Sequence, residues 1–158
     1  MTRVLGIDGC RTGWAGIVWD GTRVNGVFAA RLTDLLETAG AVDAVVLDMP
    51  IGLPDHGVRA ADRLAKQELG PKASSIFLTS TRAALAAPTR AGADALNRAH
   101  GSGGVTAQAF ALHAKIAEVD DAVRATGAAV VEGHPELSFA ALAGAPVLAS
   151  KRSWAGSA

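Results

Sequence analysis

Three short apolar runs in this chain each end in a carboxylate: Val4-Leu5-Gly6-Ile7-Asp8, Val45-Val46-Leu47-Asp48 and Val130-Val131-Glu132. Continuous apolar runs of this length suit strands buried on both faces, as in a parallel sheet. If the three strands are parallel neighbours, their C-terminal ends share one edge, where open α/β sheets bind ligands. Adjacent strands lie about 4.8 Å apart, so Asp8, Asp48 and Glu132 are expected to converge there. Carboxylates packed that closely repel one another and resist ionisation. A divalent cation resolves the conflict, and hard oxygen ligands select Mg²⁺ or Mn²⁺.

The segments between these runs supply the other elements. Trp14 to Trp19 and Val24 to Ala29 read as strands joined by the turn signal Asp20-Gly21. Leu32, Leu35, Leu36 and Ala39 fall at helical spacing, with Gly40 as the stop. Met49 to Pro54 carries two prolines and a glycine and cannot be regular helix. Val58 to Leu69 reads as a helix with Asp62 and Lys66 spaced to pair at i, i+4, ended by Gly70-Pro71. Ser74 to Thr81 fits no single period, and Ala83 to Ala99 reads as helix broken near Pro88. Ala109, Leu112, Ile116, Val119 and Val123 form the stripe of one helix capped by Gly127. Ala128 to Val131 is a strand, and Pro135 opens a helix that runs to about Ala143. Lys151 to Ala158 is a short polar tail.

The length of 158 residues fits a single domain over residues 1–158. The one cysteine, Cys10, excludes an intrachain disulfide. It also lacks a clear partner base for nucleophilic work. No apolar stretch is long enough for a signal peptide or a membrane span, so a cytoplasmic, membrane-free protein is expected. The formal charge is zero. Non-specific grip on nucleic acid draws on a basic excess, so any such contact must be local or shared with a partner.

The motifs Gly6-Ile7-Asp8-Gly9-Cys10-Arg11 with Gly13-Trp14, Asp48-Met49-Pro50-Ile51-Gly52-Leu53-Pro54, and Arg59 with Asp62 follow one another along the chain. Ser74-Ser75-Ile76-Phe77, Gln108-Ala109-Phe110, Glu118-Val119-Asp120 and Glu132-Gly133-His134-Pro135-Glu136 complete the set. With these the chain resembles a family of predicted ribonuclease-H-like nucleases, domain of unknown function 429. The resemblance implies an α/β fold: a mixed sheet of three antiparallel strands, then two parallel strands, flanked by helices. It implies metal-dependent phosphodiester hydrolysis, on DNA, RNA or a small phosphoester, more weakly than it implies the fold. Folds of this type usually take a last catalytic acid from a helix after the fifth strand. That helix is expected after Lys151 and is missing before Ala158, so a ligand of the metal site is expected to be absent.

Around the three carboxylates, Glu136 and His134 are candidate assistants in catalysis. His134 is placed to bind metal or protonate a leaving group, or else to bond loop backbone. Arg11 and Arg59 either hold phosphate or pair with the carboxylates. Gln108 either faces substrate or caps its helix. His56, His100 and His113 read as surface or packing residues, and Trp14 and Trp19 as packing. Two other readings remain. One is a phosphate- or nucleotide-binding relative of the sugar-kinase and actin fold, which needs a second, similar domain with a second loop, and nothing in this sequence repeats the first. The other is a non-catalytic ligand- or partner-binding protein that kept the fold. Without the last helix, one sheet face near the first and fourth strands should be under-covered, and a homo-oligomer is expected to cover it.

Overall fold

The computed structural model describes residues 2–126 and 129–145. Its centre is a five-stranded sheet of order β3-β2-β1-β4-β5. The strands are β1 (Val4–Cys10), β2 (Gly13–Trp19), β3 (Val24–Ala29), β4 (Ala44–Leu47) and β5 (Val130–Glu132). β1 to β3 form an antiparallel meander, and β4 and β5 add in parallel beside β1. With its flanking helices this is the expected α/β class, and the arrangement is consistent with a ribonuclease-H-like fold.

Local chemistry sets the meander. β1 runs past Asp8 to Cys10, longer than its apolar run, because β2 pairs with it down to Cys10↔Gly13. A side chain at Gly13 would press into the carbonyl oxygen of Ala29. The β2–β3 turn is closed by Asp20, whose Oδ1 accepts from the Thr22 N–H (3.0 Å), the Thr22 hydroxyl (2.9 Å) and the Arg23 N–H (2.8 Å). These bonds, the Arg23 N–H first, hold its carboxyl below the usual range.

Seven helices are described: α1 (Leu32–Ala39), α2 (Ala60–Leu69), α3 (Arg82–Leu85), α4 (Arg90–Ala99), α5 (Ala107–Ala111), α6 (His113–Thr126) and α7 (Pro135–Ala143). The break near Pro88 separates α3 from α4, and α2 runs on into a 3₁₀ turn at Gly70–Ser75. The single helix expected around Leu112 is two, α5 and α6, divided at that residue. Thr106 caps α5 by accepting from the Ala109 N–H. Gly127 and Ala128, expected as cap and strand start, and the tail after Lys151 lie outside the described residues.

One sheet face is buried. Leu5, Ile7, Trp14, Val18, Val45 and Leu47 pack there against Leu32 and Leu35 of α1 and Ile116, Val119 and Ala122 of α6. Glu118 joins the layers: its Oε1 accepts from the Leu32 N–H (2.7 Å) and its Oε2 from Trp14 Nε1 (3.0 Å). It thereby caps α1, whose own N-cap Arg31 offers no side-chain bond. On the other face Ile17, Trp19, Phe28, Val46 and Val131 are all exposed. They share one face of the sheet, with Gly6 of β1 between Ile17 and Val46, and Phe28 opposite Ala15.

Candidate functional site

The parallel register brings the acids to one edge. Asp48 follows β4, and its N–H donates to the Ile7 carbonyl (3.0 Å), so it sits beside Asp8. Glu132 closes β5, and the next N–H, of Gly133, donates to the Leu47 carbonyl (2.9 Å). A Cβ at Gly133 would collide with the Val46 side chain, so this turn needs glycine. A cleft of about 870 Å³ opens at this edge, between the strand ends, α2 and α7. Asp8, Asp48, Glu132, His134 and Glu136 all line it, together with Arg59 and Gln108. Arg11 does not; it lies exposed on the β1–β2 turn.

The three carboxylates do not form one cage. Glu132 pairs with Leu47 and not with Asp48. Side chains alternate along strands, so Glu132 leaves the sheet on the side of Leu47 and Ile7, opposite Asp8. A one-residue offset is enough to change faces. Among the described residues no group of three or more His, Cys, Asp or Glu side chains stands close enough to hold a metal ion.

Glu132 is instead engaged by Arg59. Arg59 Nη1 donates to Glu132 Oε2 at 2.7 Å and Nη2 to Oε1 at 2.9 Å, a bidentate pair. Arg59 Nε donates to Asp62 Oδ1 (3.0 Å), Nη2 also pairs with that oxygen, and Nη1 donates to the Ile51 carbonyl (2.8 Å). All five donors of the guanidinium are thus used. Burial pulls its pKa down, but the bonds and charges of Glu132 and Asp62 outweigh that and raise it above its ordinary value. Arg59 is therefore tied to carboxylates, one of the two roles open to it. It fixes the Met49–Pro54 loop as well, because Glu132 Oε2 accepts from the Ile51 N–H (2.9 Å).

The i, i+4 spacing lets Asp62 pair with Lys66, but the structure does not pair them. Asp62 is buried, and besides Arg59 it accepts from the Thr79 N–H (2.7 Å) and hydroxyl (3.2 Å). Lys66 turns away and donates to the Ala73 carbonyl (2.9 Å). The i, i+3 spacing of Arg59 and Asp62 was the signal for the observed pair; Thr79, in the stretch of no clear period, gave none.

His134 and Glu136 flank Pro135 at the start of α7, with His134 Nδ1 3.2 Å from Glu136 Oε2. That approach lacks hydrogen-bond geometry, and Nδ1 is buried with no hydrogen-bond partner among the described residues. Gln108 lies exposed on α5 and lines the cleft, while the cap of that helix is Thr106. His113 is buried against Ser80, and His100 stacks on His56.

A Mg²⁺ or Mn²⁺ ion here would have to rely on Asp8 and Asp48, neighbours on paired strands, because Mg²⁺ commonly takes one or two carboxylates from protein and the rest from water and substrate phosphate.

No helix among the described residues is long and apolar enough to cross a membrane. No curated protein and no solved structure matches the chain. A family model described as "Protein of unknown function (DUF429)" matches residues 6–158, almost the whole length, and the chain belongs to that family.

Proposed function

We propose that this protein is a metal-dependent phosphodiester hydrolase, working in the cytoplasm at the cleft beside Asp8 and Asp48. The observation that carries the reading is the meeting of Asp8, Asp48, Glu132, His134 and Glu136 in one cleft at the C-terminal edge of the parallel strands. Open α/β sheets place their chemistry at that edge. Asp8 and Asp48 hold the cation, and Glu132, anchored by Arg59, contributes negative charge on the opposite side of the sheet end. When bound, Mg²⁺ or Mn²⁺ supplies Lewis acidity and a water of lowered pKa. Water, having released one proton to solvent, attacks phosphorus, and the bond from phosphorus to the leaving oxygen breaks. His134, which lines the cleft beside Glu136, delivers a proton to that oxygen from Nε2.

Hydrolysis of bis(p-nitrophenyl) phosphate, with and without Mn²⁺, tests this. Wild-type protein should release nitrophenolate only with metal. Asp8→Asn should lose at least about 100-fold, the scale of a main electrostatic contribution, with an unchanged melting temperature. A wild type inactive with Mn²⁺, or an Asp8→Asn variant of full activity, contradicts the proposal.

A further inference from the structure

The cleft has two walls of different chemistry. At the strand ends, α2 and α7 it carries six carboxylates, Asp8, Asp48, Asp62, Glu68, Glu132 and Glu136, against one guanidinium, Arg59, already paired with two of them. The wall from the end of the 3₁₀ turn to α5 is of another kind. Ile76, Phe77 and Leu112 give it an apolar surface, and Ser74, Ser75 and Gln108 give it neutral hydrogen-bonding groups. A second hollow of about 340 Å³ shares Ser74, Ser75, Ile76, Phe77 and Gln108, so this wall is open on more than one side.

Charge and size both discriminate between substrates. A polynucleotide brings a row of phosphates and needs a track of cations to neutralise them. Here the chain is neutral and the cleft strongly acidic. A single phosphoester needs only the local cation. The volume falls within the range of roughly 300–1,000 Å³ of small-molecule sites. An aromatic ring beside amide and hydroxyl groups suits a planar heterocycle, which stacks on one and bonds its edge to the others.

Resting on the phosphodiesterase reading, we propose that the substrate is a phosphodiester of a single nucleoside, its phosphate reached through the cation at Asp8 and Asp48 and its base against Phe77 and Gln108, with the nucleoside monophosphate as product. Binding is the test, because it does not depend on turnover. Calorimetry would use the full chain with Mn²⁺ and four probes: uridine 5′-monophosphate, adenosine 5′-monophosphate, inorganic phosphate and a short DNA duplex. At least one nucleotide should bind ten-fold or more tightly than phosphate or duplex. Phe77→Leu should weaken nucleotide binding about 5- to 100-fold, the scale of one base stack, and leave phosphate binding unchanged. Gln108→Ala, at an exposed position that does not threaten the fold, should weaken the nucleotide alone. Duplex binding tighter than nucleotide, or nucleotide affinity unchanged in both variants, overturns the proposal. Cleavage of duplex without nucleotide binding would refute the substrate class and leave the hydrolase reading standing. Nucleotide binding without any hydrolysis would do the reverse.

Discussion

Replacing Arg59 by Met keeps most of the side-chain volume and removes all five donors. The structure divides the consequence unequally between two carboxylates. Glu132 has a third of its side chain exposed (33 %) and can rehydrate, so its share should be about 1 kcal/mol or less. Asp62 is only 3 % exposed and keeps just the Thr79 N–H and hydroxyl. Breaking a buried pair by removing one partner costs about 3–5 kcal/mol. With two bonds to Asp62 retained, Arg59→Met should lose about 3 kcal/mol. At about 2–4 °C per kcal/mol for a protein of this size, the midpoint should fall by roughly 6–12 °C. Urea unfolding followed by circular dichroism measures it directly. Adding Asp62→Asn should recover about 2 kcal/mol of the loss, since the amide needs no counter-charge. A loss below about 1 kcal/mol, or additive single and double variants, would refute the buried network as described.

His113 Nε2 lies 2.9 Å from Ser80 Oγ in buried surroundings, and burial holds its pKa below the ordinary 6.5. The unfolded chain therefore takes up the proton first. The stability due to neutral His113 is complete above pH 6.5 and is lost as pH falls through the depressed folded value. The melting temperature should drop as pH falls from about 6.5 to 5, and His113→Gln should flatten that slope; an unchanged slope in the variant excludes His113 as the cause. On the exposed sheet face Ile17, Trp19, Phe28, Val46 and Val131 together present on the order of 500 Å² of apolar side chain, interrupted by Gly6 and Ala15. A stable complex buries roughly 800 Å² on each partner. A second copy, packed face to face about a two-fold axis, is the occupant we propose. Light scattering at micromolar concentration should report a dimer that Trp19→Lys dissociates, and a monomeric wild type refutes it.

The apolar runs made the sheet legible, because a continuous apolar strand has few other places to go. The carboxylates that end them also marked the edge correctly, and Asp8, Asp48 and Glu132 do line one cleft. Their mutual geometry was not legible. It turns on whether Glu132 stands opposite Leu47 or Asp48, a one-residue choice that leaves the apolar pattern of Val130 and Val131 unchanged. Arg59 and Asp62 show a second blind spot. Helical spacing allowed Asp62 to meet Lys66 or Arg59, and the choice was made by burial, which Thr79 supplies from a segment without periodicity. The division of α5 from α6 at Leu112 was hidden for the opposite reason. The apolar stripe runs through both helices, and a stripe records which face is buried rather than whether the backbone bonds are continuous.

The central claim is that Asp8 and Asp48 together recruit a divalent cation at the strand ends. Mn²⁺ titration followed by electron paramagnetic resonance tests it most directly, since bound Mn²⁺ loses the sharp signal of the free ion. One saturable class of site is predicted in the wild type, weakened at least about ten-fold by Asp8→Asn or Asp48→Asn, the loss expected on removing one charged partner at a net cost of about 1.4 kcal/mol or more. No binding to the wild type, or equal binding to both variants, would contradict it.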